Sequence, residues 1–326
     1  MRCIISDHTD PYFNLAAEEV LLKDRNEDYF LMYRNTPSIV VGKHQNTMAE
    51  INLPYVQKMG IKVARRISGG GTVYHDQGNL VFSFITSGKE GELVDYRRYT
   101  RPVIEAMKKA GLEVTLGKRN EILLEGMKIS GTASHVYKLR ALHHGTLLFS
   151  SRMKQLERAL KVNPGNFEDR AVKSIRSKVT NISSHLVYKM DVADFQKMIY
   201  NHILYTMDGA TPYRFSGKDL DDIGKLRDAK FSTWDWNFGY SPKYQFRKAL
   251  KFGSGEIALL MNVNKGVIQE FRIEGDFMGT KDISALEKVL VGIIHDPETL
   301  RIRLSGIKVS DYITGLENEA LLSGLF

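Results

Sequence analysis

Three consecutive glycines constrain this chain more than any other feature of its sequence. They lie in residues 65–76, RRISGGGTVYHD, between two stretches typical of β-strands. Glycine has no Cβ, so this loop can bring bare backbone N–H groups close to an anionic ligand. Arg65 and Arg66 precede the glycines, and guanidinium groups bind phosphate and carboxylate oxygens. The segment therefore favours an anion-binding loop, although it is neither a Walker loop nor a dinucleotide fingerprint.

Two further segments carry candidate chemistry. In residues 125–133, Lys128 alternates with two apolar neighbours, so on a strand it faces away from the core that they enter. These residues alone indicate either a solvated lysine or a charge for an anionic ligand. His143 and His144 are adjacent, so their rings would point to opposite faces of a strand, and no nearby acid or cysteine completes a zinc site.

A fourth segment, residues 174–181, alternates basic with apolar residues and is either a positively charged rim or a solvated strand. No nucleophile motif of the G-x-S-x-G type is present, and Cys3 is the single cysteine. One cysteine excludes an intramolecular disulfide framework and fits a reducing compartment.

The charge predicts an acidic partner. The chain has 326 residues, 43% of them apolar, and a formal charge of +8, which fits a folded protein with room for two domains. Residues 251–326 hold 8 Lys and Arg against 11 Asp and Glu, so residues 1–250 carry +11. The basic residues are dispersed rather than interleaved with aromatic residues, which argues against a nucleic-acid-binding module. No apolar run approaches the roughly 18 residues of a membrane span, so we expect no membrane partner and a cytoplasmic location.

The order of predicted elements indicates an α+β fold with a mixed sheet, because strands and helices do not alternate as in a doubly wound sheet. A helix is expected over residues 14–23 with Asn14 as its N-cap. Residues 29–34 and 38–42 are expected to form a strand pair around a Thr-Pro step.

Turn-rich residues 233–243 mark the expected domain boundary. It divides the chain into a larger domain over residues 1–245 and a small α+β domain over residues 246–326. The small domain opens with a hairpin signal, two apolar runs around Asn-Lys-Gly within residues 255–273. It contains no chemical cluster, so we expect it to be accessory.

Five segments, in this order and spacing, resemble the lipoate-protein ligase family: ARRISGGGTVYHDQGNLVFSF, KISGTA, LHHGTLLF, SIRSKVTN and WDWNFG. The resemblance covers most of residues 1–245, and ligases of the lipoate-protein ligase A type carry an accessory domain where residues 246–326 stand. It implies a catalytic domain of the fold shared with biotin ligases and class II aminoacyl-tRNA synthetases.

The resemblance also implies site residues. The family's lipoate- and ATP-binding residues match Arg66, Gly71, Thr72, Val73, Tyr74 and Lys128. Lys128 corresponds to the catalytic lysine that contacts both nucleotide and lipoate. Further candidates for the pocket are Ser68, Gly69, Gly70, His75, Asn79 and His144. Asn120 and Glu121 stand where the family commonly has Asn-Asp, which leaves a metal contact there in doubt.

The resemblance implies an ATP-dependent reaction in two steps. Lipoate is adenylated to lipoyl-AMP, and the lipoyl group then passes to a lysine of an acceptor domain. The expected acceptors are lipoyl-domain proteins, the E2 subunits of 2-oxoacid dehydrogenases and the glycine cleavage H protein. We expect Mg²⁺ with the ATP phosphates. Adenylation brings two anions together, so positive charge and backbone N–H groups suit this chemistry.

Three alternatives are weighed against this interpretation. A lipoyltransferase that uses preformed lipoyl-AMP would need much the same motifs and stays open. An enzyme that forms a thioester on its own cysteine is disfavoured, because a cysteine near the pocket is required and the single one is Cys3. A biotin ligase is disfavoured because its glycine loop has a different pattern.

Overall fold

The chain folds into two compact units in the computed structural model, which describes residues 1–253 and 255–326. The first unit comprises residues 1–43, 61–157 and 174–233, and the second comprises residues 44–60, 158–173 and 234–326. Each unit is assembled from segments distant in sequence. The predicted domains, residues 1–245 and 246–326, are each continuous in sequence, whereas these units are not. The boundary at residue 245 stays a prediction.

Sixteen strands occur in the described ranges: β1 (Arg2–Ile5), β2 (Tyr29–Arg34), β3 (Ser38–Val41), β4 (Lys62–Arg65), β5 (Val73–His75), β6 (Asn79–Ser87), β7 (Val114–Leu116), β8 (Ile122–Leu124), β9 (Met127–Ser130), β10 (Thr132–Tyr137), β11 (Arg140–Leu148), β12 (Phe167–Asp169), β13 (Thr211–Pro212), β14 (Tyr244–Phe252), β15 (Gly255–Asn264) and β16 (Val267–Gly275).

Ten α-helices occur in the same part of the chain: α1 (Pro11–Lys23), α2 (Thr47–Glu50), α3 (Leu53–Lys58), α4 (Tyr96–Lys109), α5 (Met153–Ala159), α6 (Val192–Thr206), α7 (Gly217–Leu226), α8 (Ile283–Leu290), α9 (Pro297–Leu304) and α10 (Asn318–Gly324). Short 3₁₀ turns lie at Pro164–Asn166, Ile182–His185 and Val309–Asp311, and π-helical turns lie at Arg227–Phe231 and Asp235–Gly239.

A six-stranded mixed sheet forms the centre of the first unit, in the order β10-β11-β6-β2-β1-β13. Strand β1 runs parallel to both β2 and β13, and the other neighbours pair antiparallel. Two three-stranded sheets, β4-β3-β5 and β7-β8-β9, accompany it. The predicted α+β fold with a mixed sheet is confirmed.

Aromatic and aliphatic side chains bury one face of this sheet. Phe82 and Phe84 of β6 pack in one cluster with Val103 of α4 and with Phe195 and Ile199 of α6. Full burial of each such side chain contributes roughly 1.5–3 kcal/mol. The opposite face of β6 and β11 contacts α1, so that helix covers the side of the sheet on which polar residues are placed.

The second unit is built on an antiparallel meander, β12-β14-β15-β16. Helix α8 packs on β16 and α10 packs on β14. The predicted hairpin is confirmed: β15 and β16 join through Lys265 and Gly266, which have φ angles of 50° and 72°. Within the described ranges, no helix combines the length and apolar character needed to cross a bilayer.

Two local predictions are wrong. Helix α1 begins at Pro11, with Asp10 as the N-cap whose side chain accepts from the Tyr12 N–H, because a first-turn proline needs no N–H partner. Asn14 is instead buried inside the helix, where its amide donates to Asn35.

The predicted strand pair is also absent. Strand β2 pairs with β1 and β6, whereas β3 pairs with β4 and β5 in a separate sheet. Both strands are buried along nearly their whole length, so each needs neighbours on both sides. An apolar run in the sequence predicts such a strand but does not predict which strands pair with it.

Candidate functional site

The glycine loop connects β4 to β5, the two outer strands of their sheet. Gly70 has φ +89°, a conformation that costs an L-residue about 1–2 kcal/mol. Gly42, at the end of β3, lies so close beneath the loop that a Cβ there would be 2.1 Å from the Gly70 carbonyl oxygen. Glycine is therefore required at both positions for the loop to pack as it does.

The Arg66 side chain holds this loop from inside. Its Nη2 group donates to the carbonyls of Gly69 at 2.6 Å and Gly71 at 2.8 Å, and its Nη1 donates to Val40 at 3.1 Å. The backbone N–H groups of residues 69–71, in contrast, have no acceptor in the described part of the chain. Carbonyls point toward the buried guanidinium, and three donors without an acceptor are left; anion binding by this loop stays a prediction.

Arg65 also turns inward. It is fully buried, and its guanidinium donates to the carbonyls of Gly42 and Lys43, both at 3.1 Å. Both arginines were expected to face an anion, but their guanidinium groups donate mainly to backbone carbonyls. Burial lowers the pKa of Arg66 to about 10, and the nearby Glu18 and Tyr33 act in the opposite direction.

A chain of buried polar side chains extends from Arg66. Its Nε donates to Ser68 Oγ at 3.0 Å, and Ser68 Oγ lies 2.7 Å from His144 Nε2. The other ring nitrogen of His144 lies 3.0 Å from both carboxylate oxygens of Glu18. His144 thus faces α1 and the glycine loop at once.

His143 occupies the opposite face of β11, as strand alternation predicts. Its ring stacks on Tyr99 with a centroid distance of 4.3 Å, and its Nε2 lies 2.9 Å from the Leu93 carbonyl oxygen. The two adjacent histidines therefore lie on opposite faces of β11 and contact different residues. In the described residues, no cluster of three or more His, Cys, Asp or Glu side chains could hold a metal ion.

Lys128 lies on β9, half-buried beside the fully buried Ile129. No hydrogen-bond or ion-pair partner of its ammonium group occurs among the described residues. Burial lowers the pKa of Lys128, and the positive charges of Arg119 and Arg66 lower it further, whereas Glu121 raises it. A partly desolvated, unpaired lysine near a second cation is suited to receive an anion.

Asn120 and Glu121 form the turn before β8. Asn120 has φ +61°, and its carbonyl accepts from the Thr132 hydroxyl at 2.7 Å. Glu121 Oε2 accepts from the Arg119 backbone N–H at 2.7 Å. The Glu121 carboxylate is therefore turned back onto its own loop while it also acts on the charge of Lys128.

The basic segment that follows residue 173 joins the two parts of the site. Ser174 Oγ accepts from the Thr72 backbone N–H at 2.8 Å. Four residues later, the Lys178 carbonyl accepts from the Lys128 N–H at 2.9 Å, and Thr180 N–H donates back to the Lys128 carbonyl at 3.2 Å. We call residues 174–180 the strap. This one continuous stretch of backbone contacts both the glycine loop and Lys128.

His75 and Asn79 lie at the ends of the turn that follows the loop. His75 is buried and its Nδ1 lies 2.9 Å from the Asn35 amide, but its Nε2 has no partner among the described residues. Burial, aided by Arg66 and His144, lowers the pKa of His75 to about 3. Asn79 is fully buried and neither of its amide atoms has a partner in the same described ranges. Unpaired buried polar atoms of this kind are costly unless water or a ligand pairs with them.

The remaining predicted residues lie nearby on β5. Val73 is half-buried, and Tyr74 is buried with its hydroxyl donating to Gln155 Oε1 at 2.9 Å. Tyr74 thus points into the fold in this structure.

Sequence reasoning missed Glu18 and Ser174. Glu18 is fully buried on α1, and two adjacent glutamates within the apolar run AAEEVLL were the signal that could have identified it. Ser174 has no comparable signal, because its hydroxyl meets Thr72 across 102 residues of sequence.

A groove of about 370 Å³ lies in the second unit, on the open face of its sheet. Its walls include Glu168, Arg247, Leu260 and Arg272. The two arginines are exposed, and the groove lacks the unpaired buried donors found around the glycine loop. We therefore centre the candidate site on the loop and Lys128.

Comparisons with known proteins give one consistent answer. Residues 10–204 match the model of the lipoyl protein ligase A/B catalytic domain, and residues 241–325 match that of the bacterial lipoate protein ligase C-terminus. The chain is 41% identical over 321 residues to the lipoate-protein ligase LplJ of Bacillus subtilis, covering 97% of each chain.

Two solved structures share the fold. One is a lipoate-protein ligase A bound with ATP, which is 24% identical, has a TM-score of 0.64, and covers 73% of this chain and 98% of its own. The other is a bipartite lipoate protein ligase from Thermoplasma acidophilum, described together with its E2 lipoyl domain. It is 23% identical, has a TM-score of 0.63, and covers 73% of this chain and 96% of its own.

Proposed function

Because this chain belongs to the lipoate-protein ligase family, we propose that it adenylates lipoate with ATP and transfers the lipoyl group to a lysine of an acceptor domain. The observation that carries the proposal is the pairing of two anion-binding features. Three loop N–H groups without acceptors and the unpaired ammonium of Lys128 are joined through the strap.

In the first step, a carboxylate oxygen of lipoate attacks the α-phosphorus of ATP. The new O–P bond forms as the bond to the pyrophosphate oxygen breaks, giving lipoyl-AMP and pyrophosphate. Both reactants are anions, so the site must offset their repulsion without supplying a nucleophile of its own. Lys128 offers a mobile positive charge, and the N–H groups of residues 69–71 offer fixed dipoles in a partly dry environment, where both count for more than in water.

In the second step, the uncharged ε-amine of the acceptor lysine attacks the carbonyl carbon of lipoyl-AMP. The amide bond forms, the bond to AMP breaks, and the proton released from the amine passes to solvent. Mixed anhydrides are reactive toward amines, so alignment supplies most of the acceleration. In this proposal Lys128 holds the phosphate of the departing AMP through both steps.

ATP would enter as its magnesium complex. The described residues hold no cluster of three acidic or histidine ligands, and Mg²⁺ in such sites is commonly held by phosphates, waters and one or two carboxylates. Glu121 is the carboxylate that acts on Lys128, so it is our candidate for a contact to the hydrated ion. Asn79 and His75 carry unpaired buried atoms that a substrate or its waters could satisfy.

We further propose that residues 1–245 bind lipoate and ATP, with Arg66, residues 68–75, Asn79, Lys128 and His144 around them, and that residues 246–326 are an accessory domain. The proposed acceptors are lipoyl-domain proteins, both E2 subunits and the H protein. The proposed location is the cytoplasm.

Exchange of labelled pyrophosphate into ATP tests the first step. We expect exchange that requires lipoate and needs no acceptor. If exchange is absent but the protein transfers the lipoyl group from synthetic lipoyl-AMP, it is a lipoyltransferase and the adenylation proposal is wrong. If both reactions are absent with a competent acceptor present, the ligase proposal fails as a whole.

A further inference from the structure

Four buried groups in the first unit form an unbroken hydrogen-bonded line, Arg66–Ser68–His144–Glu18. Ser68 and Glu18 have no exposed surface, and Arg66 and His144 are each 6% exposed. The line joins three separate elements: the segment after β4, strand β11 and helix α1. Burying such a network of polar groups costs free energy unless each of its hydrogen-bond donors has an acceptor.

The protons can be assigned from the donors and acceptors. The Glu18 carboxylate already accepts from the Tyr33 hydroxyl at 3.0 Å and from the Ser83 hydroxyl at 2.5 Å. It can therefore accept a third hydrogen bond, from Nδ1–H of His144. At the other end, Ser68 Oγ accepts from Arg66 Nε–H, so its own hydrogen is free to point at His144 Nε2.

One arrangement uses every proton in these contacts. Arg66 donates to Ser68, Ser68 donates to His144, and a neutral His144 donates to Glu18. All the hydrogen bonds then run in one direction, from a buried cation to a buried anion. The two charges offset each other through two neutral groups, as buried charges require.

We propose that Glu18, His144 and Ser68 form a positioning relay that fixes Arg66 against the carbonyls of Gly69 and Gly71 and thereby aims the loop N–H groups at the adenylation site. The function assigned to the loop rests on the proposed ligase activity. The tautomer assigned to His144, with hydrogen on Nδ1 and a bare Nε2, does not rest on it.

The same connectivity of serine, histidine and acid occurs in serine hydrolases, where the serine is a nucleophile. Here the Ser68 oxygen has no access to solvent and already accepts from Arg66. Ser68 is therefore a positioning residue, and no acyl-serine forms.

The tautomer of His144 is the first test, because it needs no variant and no substrate. Long-range ¹H–¹⁵N spectra of the ¹⁵N-histidine-labelled protein distinguish a protonated from a bare ring nitrogen. His144→Gln removes one set of signals and assigns it. We expect a protonated Nδ1 and a bare Nε2 at neutral pH. A protonated Nε2, in either the other neutral tautomer or the imidazolium, would overturn the relay.

The second test is Glu18→Gln, which keeps the side-chain volume but offers amide donors where the carboxylate accepted. We expect kcat for lipoate-dependent pyrophosphate exchange to fall about 10- to 100-fold with KM for ATP changed less than threefold, since the loop is misaligned rather than removed. The ring signals of His144 should move in the same variant. An unchanged kcat, or a fall with His144 signals unmoved, would contradict the relay.

Glu19→Gln is the matched control. Glu19 is adjacent and also buried, but it pairs with Lys23 at 2.7 Å and Lys230 at 2.6 Å instead of His144. We expect it to lower thermal stability while leaving the His144 signals and kcat in place. If the wild-type protein shows no exchange at all, the ligase proposal fails while the spectra still decide the relay. A lipoyl ester on Ser68 in the mass spectrum of the wild-type protein incubated with ATP and lipoate would identify a nucleophile and refute a positioning role.

Discussion

At the scale of single residues, the two cations that the sequence singled out have different roles. Arg66 is occupied by the carbonyls of its own loop, whereas Lys128 has no partner for its ammonium group among the described residues. The resemblance to the ligase family assigned both to the ligand, while residue type and spacing alone left Lys128 open. A side chain's partners depend on the fold, so sequence could propose Lys128 but could not separate it from Arg66.

Replacing Lys128 with methionine should strongly slow adenylation while the fold survives. Lys128→Met keeps a flexible chain of similar length and removes the charge that offsets repulsion between carboxylate and phosphate. We expect lipoate-dependent pyrophosphate exchange to fall about 10²- to 10³-fold, with a thermal midpoint equal to or above that of the wild type. Lys189→Met, at an exposed lysine, is the control and should be silent. Exchange within threefold of wild type in Lys128→Met would remove this residue from the mechanism.

The pH profile should report the same residue. A lysine attracts an anion while protonated, and the lowered pKa means that Lys128 loses its proton at a lower pH than an ordinary lysine. We expect kcat/KM for lipoate to decline on the alkaline side, starting below the usual lysine range near pKa ~10.4. In Lys128→Arg this decline should shift to higher pH, whatever the absolute rate, because a guanidinium keeps its charge. An alkaline limb at the same pH in both proteins would assign it to another group.

At the scale of elements, the site is a loop, a strand and a strap. Sequence singled out the loop by its consecutive glycines, which are a local pattern, and the strand of Lys128 by its resemblance to a family motif. It left the strap as either a rim or a solvated strand, because its contacts to residues 72 and 128 depend on long-range folding. The prediction of strand partners was wrong for the same reason. Strands β2 and β3 were predicted as strands, but they were paired with each other.

The loop conformation can be tested at Gly70. Gly70→Ala places a Cβ on a residue with φ +89° and 3.1 Å from Arg66 Nη2. Gly60→Ala is a matched control, because Gly60 has φ +61° and open space around its Cβ. Each should lose about 1–2 kcal/mol of stability from the backbone conformation alone. We expect a loss of exchange activity of tenfold or more in Gly70→Ala alone. Equal activities in the two variants would show that loop geometry does not matter for the reaction.

The strap can be tested at Ser174. Ser174→Ala leaves the Thr72 N–H without the oxygen that accepts from it at 2.8 Å. We expect KM for ATP to rise about threefold to tenfold, in keeping with roughly 0.5–1.5 kcal/mol for one hydrogen bond. Ser177→Ala changes an exposed serine of the same strap and should behave as wild type. If both serine variants bind ATP normally, the strap does not help to hold the loop.

At the scale of the whole molecule, each compact unit has its own buried core, and each core includes a buried histidine with a strongly lowered pKa. His75 in the first unit and His295 in the second have pKa values lowered by burial to about 3 and about 4. His295 is fully buried, 2.6 Å from the Tyr244 hydroxyl and 2.6 Å from the Leu325 carbonyl oxygen. In the unfolded chain both histidines have ordinary values near 6.5.

These shifts predict sensitivity to acid. Below pH ~6.5 the unfolded chain binds protons that the folded chain refuses, so each histidine lowers the free energy of unfolding by about 1.4 kcal/mol per pH unit until its folded-state pKa is reached. Denaturant titrations from pH 7 to pH 4 should show this decline. His295→Gln should flatten it for the second unit, whatever its stability at pH 7. A slope identical to wild type in that variant would mean that His295 is protonated in the folded state.

Transfer to an acceptor tests the central claim most directly. The protein would be incubated with lipoate, ATP and Mg²⁺ and an unmodified lipoyl domain, and the domain's intact mass and modified lysine would be measured by mass spectrometry. The ligase account predicts one lipoyl group on a single lysine, formed only when ATP is present and lost in Lys128→Met. No adduct under these conditions, or an adduct that forms equally well without ATP, would contradict it.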